Sequence, residues 1–168
     1  MAESDADAIL EIYAPIVLDT PISFELEVPD VSEVVRRIGE HTTFAPWLVA
    51  YRGDECLGYA YGSEFRARAA YRPTVETTVY VSASSRRSGV GEALYSALFT
   101  ELRAQRFRTA VAGITLPNEA SVRFHEKFGF RKVGVFHRVG RKFDAWHDVG
   151  FWEQDLAQSQ SEERGSGN

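Results

Sequence analysis

The alternation of apolar and polar positions is sharpest over Thr74-Val75-Glu76-Thr77-Thr78-Val79-Tyr80-Val81-Ser82. Val75, Thr77, Val79 and Val81 share one face there, and Glu76, Thr78 and Tyr80 the other. A period of two marks a half-buried strand. After a short turn the period changes. Val90, Ala93, Leu94, Ala97, Leu98 and Leu102 recur at three- and four-residue steps, the apolar stripe of a helix lying on a core. Near the start, Ile9, Ile12, Tyr13, Ile16 and Val17 predict a helix opened by the capping pair Ser4 and Asp7 and bent or ended by Pro15. Thr20-Pro21 begins a loop, and Val31, Val34, Val35 and Ile38 read as a second short helix with Gly39 placed to stop it. A hairpin is expected from Trp47 to Tyr51 and from Cys56 to Tyr61, joined through Arg52-Gly53-Asp54-Glu55, and a basic loop follows from Ser63 to Pro73. Beyond the central helix, Thr109 to Thr115 reads as a strand and Asn118 to Phe128 as a helix ended by Gly129. Strands near Arg131 to His137 and Trp146 to Asp155 complete the sheet. The stretch Ala157 to Asn168 has no apolar residue beyond its first alanine and is expected to be disordered.

A length of 168 residues suits one domain, here taken as residues 1–156, with a substantial core. The net charge of -5 argues against a nucleic-acid binder, which would carry a basic face, so any anion site must be local. The lone cysteine, Cys56, excludes an intrachain disulfide and a cysteine-rich metal site. His41, His137 and His147 have no metal-ligand spacing with each other or with Cys56, and no metal is expected. With no charged-apolar-small leader and no apolar run of about eighteen residues, neither export nor a membrane span is expected. A cytoplasmic setting suits the composition.

The chemistry concentrates in the turn between the sharpest strand and the central helix, Arg86-Arg87-Ser88-Gly89-Val90-Gly91. Glycines let backbone approach an anion closely, and the unpaired N–H groups of a first helical turn face that anion with the positive end of the helix dipole. Two glycines and an arginine also occur at ordinary strand-to-helix turns, so the wider context decides. A dinucleotide-binding turn needs a third glycine where Leu94 stands and an acidic residue near Val111, and a Walker-type loop needs Gly-Lys-Ser/Thr; the chain has none of these.

Arg-x-x-Gly-x-Gly resembles the acyl-CoA signature of the GCN5-related N-acetyltransferase superfamily. The blocks Thr74 to Ser82, Leu116-Pro117-Asn118, Ser121-Val122-Arg123-Phe124-His125-Glu126 and Trp146-His147-Asp148-Val149-Gly150-Phe151-Trp152 resemble its phosphinothricin acetyltransferase group, over about Ala2 to Leu156. The resemblance implies an α/β fold: a central, mostly antiparallel mixed sheet, splayed at the cofactor site, with helices on both faces. It implies transfer of an acetyl group from acetyl-CoA to the amino group of a small acidic amino acid or analogue, of phosphinothricin or methionine sulfoximine type. Relatives pair as homodimers. The alternatives left open are an acetyltransferase for another amine, such as a polyamine or a protein N-terminus, and a non-catalytic acyl-CoA-binding module.

Residue by residue, the resemblance assigns Glu76 the general-base role and His125 a place at the leaving thiolate. On the residues alone, Glu76 equally fits a solvated polar strand face, and His125 a helix histidine satisfied by a neighbour. Val79, Tyr80 and Val81 are expected to contact the pantetheine arm through their main chain, and Asn118 to hold that arm from the far side. Arg86, Arg87, Ser88, Gly89, Val90, Gly91 and Glu92 are expected to wrap the diphosphate. Arg66, Arg68 and Tyr71 match substrate positions, where arginine grips a carboxylate or phosphinate in a two-pronged way, although solvated loop arginines would look the same. Arg66 stands where lysine is usual. Phe24 matches an aromatic wall of the pocket, and Thr115 stands where close relatives place glycine, which should narrow the cavity. Relatives also open with a short edge strand. Here Met1 falls almost where that strand would end, so either the start lies upstream or a neighbouring strand leaves its backbone groups to solvent or a partner.

Overall fold

The computed structural model describes residues 3–157; the expected disordered tail lies outside them from residue 158 onward. Among the described residues, four α-helices and six strands follow one another. They are α1 (Glu3–Asp19), α2 (Val31–Thr42), β1 (Trp47–Arg52), β2 (Glu55–Glu64), β3 (Thr74–Val81), α3 (Val90–Ala104), β4 (Thr109–Leu116), α4 (Glu119–Lys127), β5 (Arg131–Lys142) and β6 (Ala145–Asp155). The strands form one sheet in the order β1-β2-β3-β4-β6-β5, in which only β3 and β4 run parallel. β1 lies at one edge, and among the described residues no strand pairs with its outer side.

Strand alternation sends side chains to two cores. Val75 of β3 and Ala110, Ala112 and Ile114 of β4 face α3 and α4 and pack with Leu94, Tyr95, Leu98, Phe99, Leu102, Phe130 and Trp152. On the opposite face, Tyr59 packs with Ala6, Ile9 and Ile12 of α1 and Val34 and Ile38 of α2. Leu98 is fully buried in the first core. Leu98→Ala is expected to lower stability by about 2–5 kcal/mol, the loss of transfer energy plus a cavity, and urea unfolding would measure it.

Several boundaries differ from the sequence expectation, each for a local reason. Ser4 already lies within α1, which runs on through Pro15 to Asp19. Pro15 is exposed, so its ring meets solvent and the cost is one lost backbone bond. Gly39 sits inside α2, whose end is closed by Thr43; its N–H and hydroxyl both donate to the Glu40 carbonyl. On α3 the buried stripe is Leu94, Tyr95, Leu98, Phe99 and Leu102, whereas Ala93 and Ala97 are exposed. Burial went to the larger side chains, which remove more apolar surface from water. β5, expected to stop at His137, continues to Lys142 and turns through Phe143 and Asp144 at φ 50° and 54°. Two successive left-handed residues match strand twist in a tight hairpin, but Asn-Gly is the usual signal, and Phe-Asp hides it.

Candidate active site

The parallel ladder between β3 and β4 is short. Thr74, Val75 and Glu76 pair with Thr109, Ala110 and Val111, and pairing stops there. Each strand stays supported on its outer side, β3 by β2 as far as Val81 and β4 by β6 as far as Leu116, so the two diverge and leave a gap. The Ser82 N–H donates to the Leu57 carbonyl of β2 (2.9 Å). Alternation therefore directs the polar backbone groups of Tyr80 toward β2 and those of Val79 and Val81 into the gap. Of the three residues expected to offer main chain to an acyl carrier, Tyr80 is thus the exception. Its side chain instead joins the α1 and α2 core, with its ring tilted against those of Tyr13 and Tyr59.

Glu76 is the last β3 residue in the ladder and lies on the α1 and α2 face. It is half-buried, and loss of water holds its carboxyl above the ordinary glutamate range. Its side chain makes no hydrogen bond or ion pair among the described residues. Across the ladder, a Cβ built on Gly113 of β4 would stand 3.5 Å from Glu76 Oε1 and 3.4 Å from the Phe151 ring. The missing side chain at Gly113 leaves room beside the carboxylate. Thr115, expected to narrow the cavity, shares that face two residues on and is 9% exposed.

The gap opens toward the turn before α3. Gly89 caps the helix at φ 85°, and Arg87 has φ 60°. The N–H groups of Val90, Gly91 and Glu92 make no backbone hydrogen bond among the described residues, whereas the Ala93 N–H donates to the Gly89 carbonyl (3.0 Å). A Cβ on Gly91 would meet the Phe124 ring at 3.3 Å, so the glycine lets α3 start close against α4. Arg86, Arg87 and Ser88 are exposed, and the Glu92 side chain pairs with Lys127 of α4. The result is an anion cradle built from main chain with arginines at its rim. Asn118 caps α4, its Oδ1 accepting from the Ser121 N–H (3.2 Å) and its amide nitrogen left over.

His125 of α4 lies on the other face of the sheet from Glu76 and is 5% exposed. Its Nδ1 stands 2.8 Å from the Ser121 carbonyl, which can only accept, so Nδ1 carries the proton. Nε2 then accepts from the Tyr95 hydroxyl (2.9 Å). The Thr77 hydroxyl is 3.3 Å from the Tyr95 oxygen and donates to the Val111 carbonyl at 3.4 Å. Burial lowers the His125 pKa and favours this neutral form. Both ring nitrogens are engaged, and the chain of groups leads from His125 through Tyr95 to the neighbour of Glu76.

The loop between β2 and β3 frames a cleft of about 470 Å³ on the Glu76 face, with Phe65, Arg66, Tyr71, Val111 and Phe151 among its walls. The Arg66 guanidinium lies 5.2 Å from the Phe65 ring centre and 5.7 Å from that of Tyr71, held by two aromatic faces. Arg68 is exposed and does not line this cleft. Phe24 does not line this cleft; it lies farther along the same face, over Gly140 of β5 and near His147 of β6. The sequence reading thus brought Glu76, Arg66 and Tyr71 to one face but did not foresee Tyr95, Thr77, Gly113 or Phe151. Tyr95, Phe99 and Leu102 follow helical spacing and could have been read as a second line of the α3 stripe.

Residues 1–150 match the family model for an acetyltransferase (GNAT) domain. The chain is 40% identical to the phosphinothricin N-acetyltransferase of Streptomyces coelicolor over 92% of both chains. It is 38% identical to an L-methionine sulfoximine/L-methionine sulfone acetyltransferase of Pseudomonas paraeruginosa, over 69% of this chain and 68% of that one. The crystal structure of a phosphinothricin acetyltransferase from Sinorhizobium meliloti in complex with acetyl-CoA superposes with a TM-score of 0.88 at 34% identity, over 93% of this chain and 85% of that one. Split sheet, anion cradle and these likenesses agree: the chain belongs to the GNAT acetyltransferase family.

Proposed function

We propose that this enzyme acetylates the amino group of a small acidic amino acid or analogue, of phosphinothricin or methionine sulfoximine type, with acetyl-CoA as donor. The observation that carries this reading is Glu76, a half-buried carboxylate without a partner among the described residues, where the ladder opens. An amine of pKa about 8 costs on the order of 1.4 kcal/mol to hold neutral at pH 7. Glu76 takes that proton directly or through water; the neutral nitrogen forms its bond to the thioester carbonyl carbon, the carbon–sulfur bond breaks, and the second proton lost from nitrogen as the amide forms ends on the departing thiolate, giving the free thiol. The backbone groups of Val79 and Val81 line the donor arm, with Asn118 on its far side, and the turn from Arg86 to Glu92 receives the diphosphate. We place His125 on the thiolate side of the sheet, where its neutral ring fixes the Tyr95 hydroxyl by accepting from it at Nε2. Arg66, with Tyr71, receives the acidic end of the acceptor, and Arg68 adds positive potential at the loop.

The named relatives acetylate phosphinothricin or methionine sulfoximine and sulfone, which supports an amino acid acceptor. Arg66 at the cleft disfavours a polyamine. We assign the chain to the cytoplasm and to a homodimer. Val133, Phe136, Val139, Phe143 and Trp146, on β5, its turn and β6, are exposed apolar side chains at that edge of the sheet, which a second copy would cover. Light scattering should return twice the chain mass. A screen of amino-acid analogues, polyamines and peptides for acetyl-CoA-dependent release of free thiol tests the substrate class. Turnover is expected with acidic analogues, and turnover confined to polyamines or peptides would overturn it.

A further inference from the structure

One buried charge among the described residues lies outside the catalytic machinery. Lys142, at the end of β5, is 4% exposed, and no carboxylate bonds its ammonium. Nζ donates to two main-chain carbonyls, that of Val17 near the end of α1 (2.6 Å) and that of Ser23 in the following loop (2.7 Å), and it lies 5.1 Å from the centre of the Phe143 ring. A buried ammonium is costly unless its protons are satisfied, and the end of a helix, where carbonyls lack partners, is where a cation gains most. The lysine thus fastens both sides of the α1–loop junction to the β5–β6 hairpin.

A second contact joins the same pieces. The Phe24 ring covers Gly140, so closely that a Cβ there would stand 2.1 Å from the ring, and the Lys142 carbonyl meets His147 Nε2 at 3.1 Å. From its other side, the loop is held by the Tyr13 hydroxyl on Ser23 Oγ (2.7 Å) and by the Glu25–Arg37 ion pair. Glu25 shares a pocket with Tyr59 and Tyr61, and His147, beside Phe24, shares its β6 face with Phe151 next to Gly113 and Glu76, so the loop lies along the Glu76 face.

We propose that Lys142 is a positioning residue for the acceptor. By holding the Val17 and Ser23 carbonyls, it fixes the loop carrying Phe24 over the Glu76 face. It therefore governs how tightly the acceptor binds and leaves acetyl-CoA binding alone. The assignment rests on the acceptor reading given above. A methionine at this position keeps the volume of the stem and removes the ammonium.

Lys142→Met is expected to raise the acceptor KM about tenfold or more, with kcat and the calorimetric Kd for acetyl-CoA within about twofold of the parent. Hydrogen exchange at the amides of residues 20–29 should accelerate while the α3 core stays protected. Gly140→Ala, which dislodges Phe24 from the other side of the same joint, should give the same signature, and it carries the test if the methionine variant does not fold. Unchanged loop exchange, or an equal loss of kcat and acetyl-CoA affinity, would overturn the proposal. Exchange is read without any acceptor, so an error in substrate class appears in the screen alone, while an error about Lys142 appears as a loop that does not loosen.

Discussion

Glu76→Gln is expected to lower kcat by about ten- to a thousandfold, the range for loss of a general base, with acetyl-CoA binding nearly unchanged. The amide keeps the shape of the carboxylate and cannot take a proton at working pH. Because loss of water raises the Glu76 pKa, activity in the parent enzyme should rise with pH through a value above the ordinary glutamate pKa, and this acidic limb should vanish in the variant. The same shift bears on stability with a definite sign. A carboxyl whose pKa is raised in the folded state binds its proton more tightly there than in the unfolded chain. Stability is therefore greatest below the unfolded-state pKa and falls as pH rises through the folded one. At neutral pH the fold carries that cost, and Glu76→Gln should melt higher than the parent while turning over far more slowly. Equal turnover in the two proteins would remove Glu76 from the mechanism. Unchanged binding with abolished turnover would exclude a passive acyl-CoA module.

Arg87→Glu should raise the KM for acetyl-CoA about tenfold to a hundredfold, because one side chain goes from positive to negative, a change of two unit charges beside the expected diphosphate at roughly 1 kcal/mol each in a solvated setting. Arg87 is exposed and its side chain has no partner among the described residues, so the fold should hold within about 0.5 kcal/mol. Salt gives an independent check. The defect should shrink between low and high ionic strength, since counterions screen charges at this exposed rim. The acceptor KM should not move. A defect that ignores salt, or that appears equally in the acceptor KM, would place the diphosphate elsewhere.

The strand that carries Glu76 and the glycine turn that opens α3 were legible because their signals are local. A strand with one face on a core alternates, and a helix preceded by glycines shows where its unpaired first-turn N–H groups lie. What escaped depends on contacts far apart in sequence. Tyr95 and His125 meet across thirty positions, and Lys142 and Val17 across 125. Nothing in the run Arg141-Lys142-Phe143 distinguishes a buried ammonium from a surface one, and the positive-φ turn beside it lacks a glycine to announce it. Arg66 and Arg68 are likewise indistinguishable in a basic loop; only the rings of Phe65 and Tyr71 around Arg66 separate them. The direction of the main-chain groups on β3 was out of reach for a related reason. It is fixed by which neighbour binds which edge, and Tyr80 faces β2 while Val79 and Val81 do not.

The parting of β3 from β4 after Glu76 has an evolutionary corollary. If the donor's arm is read by peptide groups, then the side chains on those strands are released from guarding it. Such a scaffold can exchange residues at Gly113 or Thr115, and at Phe151 on the neighbouring β6, and so acquire a taste for a different amine, without surrendering its hold on the thioester.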